Sequence, residues 1–288
     1  MGAEYQNTEY ESKLKEISFY KLHPEYISFV GDKFEKYRIL QVGESHFIPQ
    51  LKEEQDIFPI DYFEKWLSDS CEDMKSFKNN NSDDCNWRYW IITQKVIVDY
   101  LSGYRTRSHG IFTELVKVFS KIYEKRDIGK INTEKSQNYR HFAFMNFFQM
   151  PSLYKGEKFW NSLKYSASKN ADRLNLKNKK ETTSYANKVW DKIVKESTAV
   201  FDETVDILKP EIIIFTSKSA WDAYKGKYKN APNIINTVHP GCPWWHKPGG
   251  KEKLIEKWTA ICNEVVEIRL VFVFCLAFVC KFICNVTV

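Results

Sequence analysis

A chain of 288 residues, 43% hydrophobic and 28% charged, can bury a real core as one large or two small domains, which excludes a disordered or fibrous chain. The formal net charge of +6 suits a polyanionic partner without requiring one. Seven scattered cysteines (Cys71, Cys85, Cys242, Cys262, Cys275, Cys280 and Cys284) form no CxxC pair, which argues against a disulfide framework and against zinc.

Residues 1–37 are polar with scattered aromatics and predict one or two helices in an amino-terminal extension. They carry no secretory signal, so reduced thiols in a cytoplasmic setting are expected. Ile39, Leu40 and Val42 then form a short apolar run that stops at Gly43, the pattern of a buried parallel strand. At its end stand Glu44, Ser45 and His46, with Gly43 free to turn or to approach a ligand closely. Asp61 to Leu67 predicts a short amphipathic helix, and the Ser-, Asn- and Asp-rich residues 68–86 a loop. Trp87 to Leu101 and Ile111 to Tyr123 show helical spacing, joined by a basic connection with Arg105 and Arg107.

His141 to Phe148, HFAFMNFF, predicts an aromatic strand with Asn146 near its end, followed by Gln149, Met150 and Pro151. The next stretch, Ser152 to Lys180, is rich in lysine, including Lys155, Lys158 and Lys164, with Trp160 and Tyr165 interleaved. Such a mixture can clamp phosphates and bases, or simply form a solvated basic face. Thr183 to Leu208 predicts a long helix stopped by Pro210, and EIIIFT (Glu211 to Thr216) the cleanest buried strand. Ser217 and Ser219 can cap a helix starting near Ala220. Asn233 to Val238 predicts a fourth strand ending at His239, and Lys251 to Val266 a closing helix.

The run LVFVFCLAFVC, from Leu270 to Cys280, is shorter than the roughly 20 apolar residues of a spanning helix. It reads as a packed terminal strand or an extension from an altered reading frame, so residues 268–288 are set apart as a hydrophobic tail and a membrane partner is not expected. A domain over 38–267 remains. Strands alternating with helices predict a parallel sheet with helices on both faces. Each strand ends in polar residues, and in a parallel sheet these ends share one edge, where open α/β sheets bind ligands. The fourth strand runs into VHPGCPWWHKPGG (Val238 to Gly250). His239 is held by Pro240, and Trp244 and Trp245 lie on a loop, either packed beneath it or facing a partner.

Taken together, these segments resemble the uracil-DNA glycosylase superfamily. The shared features are a strand ending in GES, an Asn in FMNFFQMP, the strand of KPEIIIFTSKSAW, and a strand ending in HPG, in that order. The likeness spans roughly Arg38 to Glu264. It implies an α/β fold, a three-layer α/β/α sandwich around a central four-stranded parallel sheet, which cleaves the N-glycosidic bond of an aberrant base in DNA.

By position, Glu44 matches the acidic residue of the first motif, Asn146 the residue that reads the base edge, and Phe47 an aromatic that stacks on the base. His239 matches the motif histidine that faces the leaving base. Gly43, Ser45 and His46 belong to the same substrate-binding turn, with His46 a second candidate donor. The sequence departs from the family where His46-Phe47 replaces Pro-Tyr or Pro-Gly, and where Gly241 replaces the Ser that usually follows HP. The resemblance implies DNA, duplex or single-stranded, as the partner; no obligatory protein partner is evident, and, with no Cys set for the iron–sulfur cluster of some branches and no short ligand spacing for zinc, no metal or other cofactor is expected. Trp244 and Trp245 would wedge the duplex, and Lys155, Lys158, Lys164, Arg105 and Arg107 would hold phosphates. Two other readings fit the same residues. One is a non-catalytic nucleic-acid-binding module of this fold, the other hydrolysis or transfer on a free nucleotide.

Overall fold

The computed structural model describes residues 3–46, 66–67, 91–104, 109–152 and 159–263, without the side chains of Phe159 and Ser162. Most of the expected helix at 61–67, the loop at 68–86, residues 105–108 and the hydrophobic tail lie outside the described residues.

The fold is built around β2 (Ile39–Gly43), every residue of which is buried. It starts just after Arg38, whose backbone is left-handed at φ 47°, and ends at a glycine, so both limits are set by backbone geometry. β3 (Phe142–Asn146) pairs parallel to it on one side and β4 (Ile212–Phe215) on the other, with β5 (Ile234–Asn236) parallel beyond β4. A fifth strand, β1 (Phe29–Val30), joins β3 antiparallel and completes the order β1-β3-β2-β4-β5. The sheet is therefore mixed and five-stranded, mostly parallel, where four parallel strands were expected. Gly31 makes the extra strand possible: a Cβ there would collide with the backbone of Arg140, while the Gly31 amide donates to Phe142 O at 2.9 Å. Residues 1–37 thus supply an edge strand together with α1 (Thr8–Leu14) and α2 (Ser18–Leu22).

Alternation along the strands divides the core in two. Leu40, Val42, Ala143, Met145, Ile213 and Phe215 enter one hydrophobic cluster, shared with α1, α2, α7 (Lys179–Leu208) and α8 (Lys218–Ala223). Ile39, Phe142, Phe144, Ile212, Ile214 and Ile235 enter the other. That face is covered by α3 (Thr93–Leu101), α4 (Gly110–Tyr123) and a helix over residues 250–263. Gln41 breaks the apolar pattern, and the buried Tyr139 hydroxyl donates to its Oε1 at 2.6 Å. The described helices also include α5 (Thr133–Ser136) and α6 (Phe159–Lys169).

α7 starts four residues ahead of its expected position because Asn178 caps it, accepting from the Glu181 amide at 3.0 Å, while Glu181 Oε2 accepts from the Lys177 amide at 2.7 Å. Its far end stops at Lys209, left-handed at φ 46°, followed by Pro210. Arg38 Nη2 donates to Leu208 O at 2.9 Å and the Glu211 amide to Arg38 O at 2.8 Å, pinning that end to the amino edge of the sheet. Among the described residues, no helix is long and apolar enough to cross a membrane.

Candidate functional site

The carboxyl edge of the sheet gathers Glu44 from β2, Asn146 from β3, Ser217 after β4 and His239 after β5. The parallel register sets this up directly, because Gly43 stands opposite Asn146 and Val42 opposite Phe215. The pairing continues past the strand ends. Phe147 N donates to Gly43 O at 3.0 Å, Phe148 N to Glu44 O at 2.8 Å, and Thr216 N to Val42 O at 2.8 Å. The backbone carrying Glu44 is therefore held as firmly as the strand before it.

Glu44 is half-buried, and its Oε2 accepts from Ser217 Oγ at 2.8 Å. The same Ser217 Oγ accepts from the Ala220 amide at 3.2 Å as the N-cap of α8, which leaves its proton to face the carboxylate. Ser217 was legible from the sequence as a cap and not as the partner of Glu44. Its position at a strand end was the available signal.

Asn146 is 8% exposed, and its side chain lies across Gly43. A Cβ on Gly43 would fall on Asn146 Oδ1 and come within 3.1 Å of the Phe144 ring, so glycine is what makes room for the amide. Gln149, another residue the sequence reading gave no role, fixes this strand end: its Nε2 donates to Asn146 O at 2.6 Å. The Gln149 amide in turn donates to Ser197 Oγ of α7 at 3.1 Å.

His239 stands exposed on one side and surrounded by protein on the others, and burial pushes its imidazole below the usual histidine value. The Glu44 carboxylate, at the end of β2 on the same edge, opposes that shift. The Gly241 amide donates to His239 Nδ1 at 3.0 Å, so the proton of the neutral ring sits on Nε2. Gly241 packs closely under the ring: a Cβ there would stand 3.1 Å from His239 Cε1 and Nδ1, so the imidazole would have to shift slightly.

His46 is buried and turned into the packing. Its Nε2 lies 2.8 Å from Thr93 Oγ1 and its ring meets Tyr26 edge-on at 4.9 Å, an environment that removes it as the second candidate donor. Ser45 is half-buried beside it.

The two tryptophans part company. Trp245 is fully buried, and its Nε1 donates to Glu114 Oε2 at 2.9 Å, so it anchors the loop in the core and is unavailable as a wedge. Burial would raise the Glu114 carboxyl, but hydrogen bonds from Lys117 and Trp245 outweigh it and hold the group below its ordinary value. Trp244, by contrast, is 64% exposed, with Lys247 Nζ 4.0 Å from its ring centre. A 3₁₀ turn over Pro243–His246 sends these neighbours in different directions.

Lys164 lies on α6, its Nζ 5.5 Å from the centre of the Trp160 ring. Phe47, Arg105, Arg107, Lys155 and Lys158 lie outside the described residues.

Compared with models of known protein families, with curated proteins and with solved structures, the chain matches none.

Proposed function

We propose that the chain is a DNA glycosylase, hydrolysing the N-glycosidic bond of a damaged or modified base, with the three-layer α/β/α plan of the superfamily it resembles and β1 added at one edge. The feature that supports this reading is that Glu44 and His239 follow β2 and β5, parallel strands that end on one sheet edge, although almost the whole domain separates them in sequence.

Breaking a glycosidic bond leaves positive charge on the sugar and negative charge on the departing base. Glu44, held by Ser217, is suited to stabilise the first and to orient the attacking water. His239, neutral with its proton on Nε2, is suited to donate to a carbonyl oxygen of the base as charge builds there. A preorganised donor of this kind is worth about 10²–10³ in rate. The Asn146 amide, beside Glu44, offers both a donor and an acceptor to a base edge. The base has to leave the stack to reach these groups, at a cost of about a few kcal/mol, and the exposed indole of Trp244 is the kind of side chain that fills such a gap.

The test is abasic-site formation on DNA carrying a panel of altered bases, scored by alkaline strand cleavage. Release of at least one base is expected, lost in Glu44→Gln and His239→Ala while DNA binding persists. Binding without release from any base in the panel would leave a non-catalytic module in its place.

A further inference from the structure

α7 is far longer than the sheet it packs on. Its Leu208 end is tied to Arg38 at the start of β2, and its Ser197 to Gln149 just past the end of β3. The helix between those ties rises ~16 Å, matching a five-residue strand of about 17 Å. From Ser197 back to Lys179 the helix runs on for ~27 Å past the tie to Gln149, toward the carboxyl side of the sheet, its nearer part still buried in the core through Ala186, Val189 and Ile193.

α6 packs along this projection, with Trp160 against Trp190 at 5.5 Å and Leu163 and Ala167 buried, so the two helices form a stiff hairpin. Its outer part is basic: Lys164, Lys169, Arg173, Lys177, Lys179 and Lys180 face only Asp172 and Glu181, a large share of the chain's net +6. Arg173, Lys177, Lys179 and Lys180 are exposed, and Glu181 is already engaged in the helix cap. An open groove of about 490 Å³ between the helices is lined by Lys164, Lys177, Thr182 and Thr183, with Tyr165 43% exposed beside them. The positive end of the α7 dipole adds to the same field.

We infer that this hairpin is an arm that grips the sugar–phosphate backbone of duplex DNA at a distance from the reacting base, an inference that rests on the reading of the sheet edge as a DNA site. A phosphate held at the tip of this hairpin lies several base pairs along the duplex from that base or on the opposite strand. A stiff duplex presents both, and a flexible single strand neither. The arm therefore makes duplex DNA, extended to one side of the altered base, the preferred substrate.

The experiment compares the full chain with its Lys177→Gln, Lys179→Gln, Lys180→Gln triple variant on unmodified duplex DNA and on one of its strands, across a salt series. Each lost phosphate contact flattens the plot of log K against log salt by about 0.9, so the variant's slope on duplex should be shallower by roughly 2–3, with no difference on the single strand. Equal slopes on duplex, equal flattening on both DNAs, or no duplex binding by the native chain would overturn the arm. Because the probe carries no altered base, the two proposals fail separately. Base release with equal slopes sinks the arm alone, and a slope difference without base release sinks the hydrolytic reading alone.

Discussion

Gly43→Ala tests the central piece of geometry without assuming any activity. The new methyl group would occupy the place of Asn146 Oδ1 and press on the Phe144 ring at 3.1 Å. β2 and β3 are fixed on both sides of this point by their ladder, so relief must come from the Asn146 side chain. Overpacking of this kind costs about 2 kcal/mol, which in a chain of this size lowers Tm by roughly 4–8 °C. In an Asn146→Ala background the obstructing oxygen is gone and only the Phe144 contact remains. The same glycine substitution should then cost about 1 kcal/mol less, a coupling of the size seen between touching residues. Urea or thermal denaturation of the four proteins gives the cycle. Equal cost of Gly43→Ala in both backgrounds would refute the placement of Asn146 across Gly43, and with it the presentation of that amide beside Glu44.

Trp245→Ala should destabilise the fold by about 3–5 kcal/mol, measured by denaturation. Trp244→Ala should leave stability within about 0.5 kcal/mol and weaken duplex binding more than single-strand binding. Ser217→Ala removes a cap and the carboxylate's donor together, so stability should fall by about 1–3 kcal/mol and base release by about tenfold; Ser217→Thr should restore both. Base release should decline as pH falls through the His239 value, which burial sets below the usual histidine range, because a proton on Nδ1 ends its acceptance from the Gly241 amide and frees the ring to turn. Stability should decline in the same window, since the unfolded imidazole takes up its proton at higher pH than the folded one. A pH–rate profile with the same acid limb in His239→Asn would assign that limb to another group.

The central strands were legible because buried parallel strands read as short apolar runs; Ile212–Phe215 is an unbroken one, and Ile39–Val42 is interrupted only by Gln41. β1 was not, since Phe29–Val30 is too short to show a period and exists only through its pairing with β3. The early start of α7 had a readable signal in Asn178 and Glu181, three residues apart, hidden by the surrounding lysines. Convergence of Glu44 and His239 on one edge followed from strand order and direction. The inward turn of His46 did not, because it depends on Thr93 and Tyr26, both remote in sequence. The opposite fates of Trp244 and Trp245 likewise turn on Glu114, whose carboxylate selects which indole is drawn inward.

The borders of the sheet carry a consequence for self-association. One border is β1, two residues long and bridged along its outer side where Gln6 meets Gly31; the other is β5, only three residues long. Rows of unpaired amides and carbonyls are what recruit a second chain into a growing fibril, and these rims are too short to template one. Through the described residues, crowded copies of the molecule would meet by side chains, with the backbone ladder of the sheet left private.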